Sequence, residues 1–176
     1  MQKDDCGRVV QHLLMRITRL LIPAIGLLLA TLATAPMSSQ QTPQQRRDYE
    51  RLSGEWQLTR AIVNGKEISE SQARRTVLIT DGDTFRFPQA SGVATHPAGR
   101  FVVNPLTNPK QVDSYAIGGK NAGQLTRGIY EIIDATHKRA CWAPSGKARP
   151  RSFESPPGSN FICQYWSKIG PVPKNR

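Results

Sequence analysis

The side chains most suited to catalysis are few and lie far apart. Beyond residue 35 the only imidazoles are His96 and His137, and both stand among turn residues, which is typical of exposed loops. Asp113, Tyr130 and Glu131 are the other candidates, yet no spacing rule brings them together. The chain has no G-x-S-x-G, H-E-x-x-H or C-x-x-C motif and no Gly-rich phosphate loop. We therefore expect no catalytic residues and no enzyme.

Two carboxylates, Asp81 and Asp83, flank Gly82 and could in principle bind a metal ion. An Asp-Gly pair between two β-rich segments is also typical of a hairpin turn, and that turn accounts for both acidic residues. No third ligand follows in register. The sequence thus predicts a turn here, with no metal and no cofactor.

The elements that must position any site are short strands separated by turn residues. Alternating, β-branched or aromatic segments predict eight strands, at 55–63, 76–80, 84–87, 100–104, 112–117, 124–133, 139–143 and 160–166. In the first of them we expect Trp56, Leu58 and Arg60 to share one face. Ser69 followed by Gln72 matches a capping box and predicts one short helix after that first strand. Gly128, inside a strand, indicates a bend or a close backbone approach.

Eight strands with hairpin-length connections predict an all-β fold. Eight antiparallel strands can close on themselves and so remove exposed edges, which favours an up-and-down barrel. A two-sheet β-sandwich is the alternative that the same pattern allows.

The first 50 residues differ from the rest. Residues 20–35 are uncharged and apolar, follow three arginines and end with Ala33 and Ala35 in an A-x-A arrangement, as in a secretory signal peptide. We expect residues 1–35 to be a signal peptide or, alternatively, an uncleaved N-terminal anchor. Residues 36–50 are expected to be a flexible polar linker, residues 51–169 the barrel domain and residues 170–176 a tail. The protein would then be extracytoplasmic, periplasmic or secreted, and membrane-bound only if the leader is retained.

The chain is strongly basic, with a net charge of +11 over 176 residues. Most of the charge is scattered, which is typical of a soluble surface. The exception is a group of three cations, Lys147, Arg149 and Arg151, which proline-containing sequence should keep non-helical and exposed. This group could bind an anionic envelope polymer or membrane; nucleic acid is not an expected partner of an exported protein.

Cys141 and Cys163 are the two cysteines outside the leader, and Cys6 lies within it. If the last two strands form a hairpin in which Ala143 faces Phe161, then Cys141 faces Cys163 and a disulfide becomes possible. A one-residue change of register would put them on opposite faces and leave two free thiols.

Several short motifs resemble an uncharacterised lipocalin-like domain family that is abundant in planctomycete bacteria. They are Gly54-Glu55-Trp56, Val63-Asn64-Gly65-Lys66, Asp81-Gly82-Asp83, Asn108-Pro109-Lys110-Gln111-Val112-Asp113, Gly128-Ile129-Tyr130-Glu131, Cys141-Trp142-Ala143-Pro144 and Arg149-Pro150. The resemblance covers roughly residues 52–168. It implies an eight-stranded barrel and an extracytoplasmic location, and it implies no activity or catalytic residue. Cys163 departs from the family, where an aliphatic residue is expected.

The expected function is that of a non-catalytic binding module. A small barrel can hold a small apolar or envelope-derived ligand in its interior, and Trp56, Phe85, Phe101 and Tyr130 are the candidate lining residues. The same large side chains could instead fill the interior. The alternative function is a surface protein that acts through its basic loop. We expect a monomer in either case.

Overall fold

The computed structural model describes residues 41–88, 97–117 and 122–174. Two helices and nine strands occupy these ranges: α1 (Pro43–Leu52), β1 (Gly54–Val63), β2 (Lys66–Glu67), α2 (Glu70–Arg74), β3 (Val77–Asp81), β4 (Thr84–Arg86), β5 (Ala98–Asn104), β6 (Lys110–Ala116), β7 (Leu125–Ile132), β8 (His137–Trp142) and β9 (Ile162–Gly170). The predicted leader, Cys6 and His96 lie outside the described residues. Within those residues, neither helix is long and apolar enough to cross a bilayer.

Eight antiparallel strands form a closed barrel. β1 and β3 to β9 pair in chain order, and β9 returns to pair with β1 from Glu55↔Gly170 to Val63↔Ile162. The two-residue β2 pairs only with the far end of β1. The predicted up-and-down barrel is confirmed, and the sandwich alternative is excluded because one continuous sheet closes on itself.

The faces of β1 differ from the simple alternation that the sequence predicts. Trp56 and Leu58 are buried, as expected, but the register with β9 shifts between Leu58 and Arg60. This β-bulge inserts one extra residue and reverses the faces beyond it. Arg60 is therefore exposed and Ala61 is fully buried. Our assignment of Arg60 to the face of Trp56 was wrong for this reason.

Residues 43–50, which we expected to belong to a flexible linker, instead form most of α1. Thr42 caps this helix by accepting from the Gln45 backbone N–H at 3.1 Å, while the Gln45 side chain accepts from the Thr42 N–H. Tyr49 and Leu52 then bury themselves against barrel strands. The linker prediction was wrong because it relied on the polar composition of the segment. The Thr42–Gln45 capping box, followed by Tyr49 and Leu52 one turn apart, is the local signal that indicates a helix.

Two other local predictions are confirmed. Ser69 and Gln72 form the predicted capping box and begin α2. Asp81-Gly82-Asp83 makes the turn between β3 and β4, with Gly82 at φ +54°. Gly128 also behaves as expected, since a Cβ atom there would lie 2.5 Å from the Trp142 ring.

The 143–161 loop packs on the outside of the barrel. Cys141 faces Cys163 across β8 and β9, as predicted, and the two form a disulfide. Both cysteines cluster with Ile129, and Phe153 and Phe161 from the loop cover them. This small outer core is separate from the apolar clusters inside the barrel.

Candidate ligand-binding site

A cavity of about 110 Å³ lies inside the barrel. This is several times the roughly 10–15 Å³ that one water molecule needs. Most of the lining is apolar or aromatic, and the lining side chains include those of Leu52, Leu78, Phe87, Val112, Trp142, Ile162 and Trp166. The interior is therefore not completely filled by its own side chains, the point that the sequence left open.

Three of the four predicted lining residues do line this cavity. Phe85, Phe101 and Tyr130 face it from β4, β5 and β7. Trp56 does not; it is fully buried beneath the cavity in a cluster with Leu58, Ala61, Ala73 and Trp166. Its indole N–H donates to the Leu52 carbonyl at 2.9 Å, so Trp56 ties β1 to the end of α1.

The α1 helix closes one end of the barrel. Its Tyr49 hydroxyl donates to the Phe101 carbonyl at 3.2 Å, and its buried Asp48 accepts from Tyr130 Oη and from Lys110 Nζ, each at 2.7 Å. Burial and the neighbouring Asp48 carboxylate raise the pKa of Tyr130, which therefore stays a neutral donor. Leu52, the last residue of α1, reaches the cavity itself.

Lys138 is a buried lysine in the cavity wall. Only 6% of the residue is exposed, and its Nζ lies 4.0 Å from the centre of the Trp56 ring. Its one hydrogen-bond acceptor is the Leu52 carbonyl at 3.5 Å, and that carbonyl also accepts from Trp56 Nε1 and from the Thr80 hydroxyl. Burial lowers the pKa of Lys138 well below its ordinary value, and the positive charge of Lys168 lowers it further.

Lys138 was not among the predicted lining residues, because it precedes the predicted strand at 139–143 and reads as a turn residue and one of many scattered surface cations. β8 in fact begins at His137, two residues before the predicted start at 139. Had the strand been started there, the alternation Lys138, Ala140, Trp142 would have put the lysine on the inward face. All three residues line the cavity.

The predicted basic patch does not form as a group of three exposed cations. Arg149 is largely buried: its guanidinium donates to the carbonyls of Val112 and Gly128 at 2.7 and 2.6 Å and pairs with Asp113 at 2.6 Å. Lys147 and Arg151 are exposed, as expected. Arg149 therefore anchors the loop to β6 and β7, and its charge is neutralised within the protein.

The residues considered for catalysis have separate partners. Asp113 pairs with Arg149, Tyr130 with Asp48, and Glu131 with Arg139 at 2.5 Å.

His137 contacts Asp134 at 2.9 Å in the turn before β8. Hydrogen bonds from the Thr136 N–H, His137 and neighbouring groups lower the pKa of Asp134 to about 2. Asp83 pairs with Arg100. Among the described residues, no three His, Cys, Asp or Glu side chains come together as a metal site would require.

Comparison with known proteins adds no assignment to this geometry: no protein-family model, no curated protein and no solved structure matches the chain.

Proposed function

We propose that the barrel is a non-catalytic module that binds a small apolar ligand in its interior. The observation that supports this most directly is the open, largely apolar cavity with a few polar groups in its wall, among them Ser114 and Lys138. Binding sites for small molecules have this composition, because apolar walls supply affinity and isolated polar groups fix orientation.

The proposal extends to location and relatives. A cross-strand disulfide between Cys141 and Cys163 suits an oxidising compartment, and this agrees with the leader-like sequence at 20–35. We therefore propose an extracytoplasmic, monomeric protein. Its closed eight-stranded barrel is also what membership of the lipocalin-like family would require.

The basic-loop alternative receives less support. Two of its cations, Lys147 and Arg151, are exposed, but Arg149 between them is committed to Asp113. Two separated surface cations bind an anionic surface weakly at physiological salt.

Titration with an uncharged fluorescent probe, N-phenyl-1-naphthylamine, tests the interior site. An uncharged probe is chosen because the basic surface cannot attract it electrostatically. We expect saturable enhancement of probe fluorescence that changes little between low and moderate ionic strength. An absence of saturation would overturn the proposal.

A matched pair of variants locates the binding. Ala140 lines the cavity, whereas Ala148 is exposed in the loop. Ala140→Phe should weaken probe affinity at least about tenfold, a loss of about 1.4 kcal/mol, by filling the cavity. Ala148→Phe adds the same ring at the surface and should leave affinity unchanged. Equal effects of the two substitutions would place the probe elsewhere.

A further inference from the structure

Lys138 has the surroundings of a reactive amine rather than of a structural cation. It is the one lysine among the described residues that lines the cavity, and no described carboxylate lies within 4.0 Å of its Nζ. The Leu52 carbonyl, at 3.5 Å, is a weak acceptor for it, because the two lone pairs of that oxygen already serve Trp56 and Thr80. The amine is thus buried with two partners in the protein, this weak acceptor and the face of the Trp56 ring, and neither is an anion.

The charged groups on the surrounding elements do not compensate a positive charge on Lys138. From β9, Lys168 brings a second cation to the same Trp56 ring, at 5.3 Å. Arg139, the next residue of β8, is paired with Glu131 of β7, and Asp48 of α1 is paired with Lys110 and Tyr130. Burial and Lys168 both lower the pKa of Lys138, which favours the unprotonated amine. A desolvated lysine beside another cation is a known way to prepare a nucleophilic amine.

We propose that Lys138 forms a reversible imine with an aldehyde group carried by an apolar ligand in the barrel. This inference depends on the proposed interior binding and adds the chemical class of the ligand. The lone pair of the Lys138 nitrogen attacks the carbonyl carbon and forms the C–N bond. Both hydrogens of the amine then leave with the carbonyl oxygen as one molecule of water, and C=N remains. No oxidant or reductant is consumed, and added water reverses the reaction.

The position of Lys138 suits such a ligand. Residue 138 lies in the barrel half that α1 closes, next to Leu52, whereas Trp142 and Ile162 lie at the opposite ends of β8 and β9. A molecule with its aldehyde at Lys138 would lay its apolar part along the aromatic walls between these ends. The apolar surroundings would also slow hydrolysis of the imine by keeping water away.

Reductive trapping tests the imine. The intact, disulfide-bonded protein is incubated at neutral pH with decanal and sodium cyanoborohydride, which reduces imines to stable secondary amines, and the alkylated lysines are mapped by mass spectrometry. We expect one label per chain, at Lys138, introduced at least about tenfold faster than at Lys147, an exposed lysine outside the cavity. Decan-1-ol, which has the same apolar chain as decanal but no carbonyl group, should compete with the labelling.

Two variants serve as controls. Lys138→Met should abolish the fast label and still bind decan-1-ol, with thermal unfolding used to verify the fold, whereas Lys147→Arg should label as the unchanged protein does. If Lys138→Met fails to fold, the relative labelling rates of Lys138 and Lys147 in the unchanged protein still test the imine.

Three further results would each have a distinct meaning. If decan-1-ol displaces N-phenyl-1-naphthylamine but Lys138 is labelled no faster than Lys147, the imine is disproved and interior binding stands. If decanoate binds at least tenfold more tightly than decan-1-ol and Lys138 stays unlabelled, the lysine is instead a cation that pairs with anions. If neither the alcohol nor the probe binds, both proposals fall.

Discussion

Single residues decide the character of the interior, and Lys138 is the clearest case. A strand that begins two residues earlier than predicted moves this lysine from a solvated turn to the cavity wall beside Trp56. The protein must then desolvate an amine that would be charged in the unfolded chain. A buried group of this kind lowers stability, so other contacts in the folded protein must offset its cost.

The lowered pKa of Lys138 predicts a pH dependence of stability. Between that pKa and the ordinary value of 10.5, the unfolded chain binds more protons at this residue than the folded protein does. The free energy of unfolding should therefore rise with pH in this window, by up to about 1.4 kcal/mol per pH unit, and fall as the pH decreases.

The variant Lys138→Met removes this contribution. At neutral pH we expect it to be more stable than the unchanged protein, and the difference should shrink as the pH rises toward 10.5. Urea unfolding at a series of pH values measures both curves. Parallel curves would show that Lys138 titrates normally in the folded protein.

Arg149 is a second single residue from which we expect a measurable contribution to stability. Its guanidinium is shared between two backbone carbonyls and Asp113, so its removal takes a charged donor from all three acceptors beneath the loop. We expect Arg149→Ala to lower the free energy of unfolding by about 2–3 kcal/mol. Arg151→Ala, at an exposed position two residues away, should change it by no more than about 0.5 kcal/mol. Thermal or urea unfolding measures the free energy of unfolding of both variants. Equal small losses would show that Arg149 contributes no more to stability than an exposed residue does.

At the scale of elements, α1 covers one end of the barrel and so closes that end of the cavity. Its capping box starts the helix, and Tyr49 and Leu52 join the apolar cluster of Phe101, Val103 and Tyr130. Asp48 adds a buried carboxylate with two donors. Removing one member of such a network is costly, because the others stay buried without a partner.

Substitution of Asp48 tests the docking of α1. Asp48→Ala should destabilise the protein by about 3 kcal/mol, since Lys110 and Tyr130 lose their shared acceptor. Glu50→Ala, on the exposed face of the same helix, should be nearly neutral. Urea unfolding gives both values. If Asp48→Ala proved neutral in urea while α1 stayed docked, the network would contribute nothing to the closure.

At the scale of the whole molecule, barrel closure leaves β1 and β9 without a free edge over most of their length. Backbone N–H groups of both strands should therefore exchange with deuterium only through global unfolding, within about 1 kcal/mol of those in β6 and β7. The short, exposed β2 provides the contrast and should exchange faster. Hydrogen exchange followed by mass spectrometry measures this. Rapid exchange in β1 or β9 would show that the barrel opens at their seam.

The sequence by itself determined the features that depend on neighbouring residues. Turn residues such as Asp81-Gly82-Asp83 and Asn64-Gly65 separate the strands, the Ser69–Gln72 capping box begins α2, and period-2 alternation identifies most inward faces. The constant index sum of an antiparallel hairpin made the pairing of Cys141 with Cys163 possible, and two free thiols were the alternative that another register would give. Eight strands in order favoured a closed barrel over the sandwich alternative.

Tertiary structure alone decided where the exceptions to those patterns fall. The bulge after Leu58, the docking of α1 and the burial of Arg149 and Lys138 all depend on contacts between residues far apart in the chain. Once β8 is known to begin at His137, the alternation with Ala140 and Trp142 turns Lys138 inward, but the local sequence does not fix that start. The aromatic lining residues Phe85, Phe101 and Tyr130 could therefore be predicted from the sequence, whereas Lys138 could not. The reason is that the start of the strand and the closure of the barrel together determine which side chains face inward.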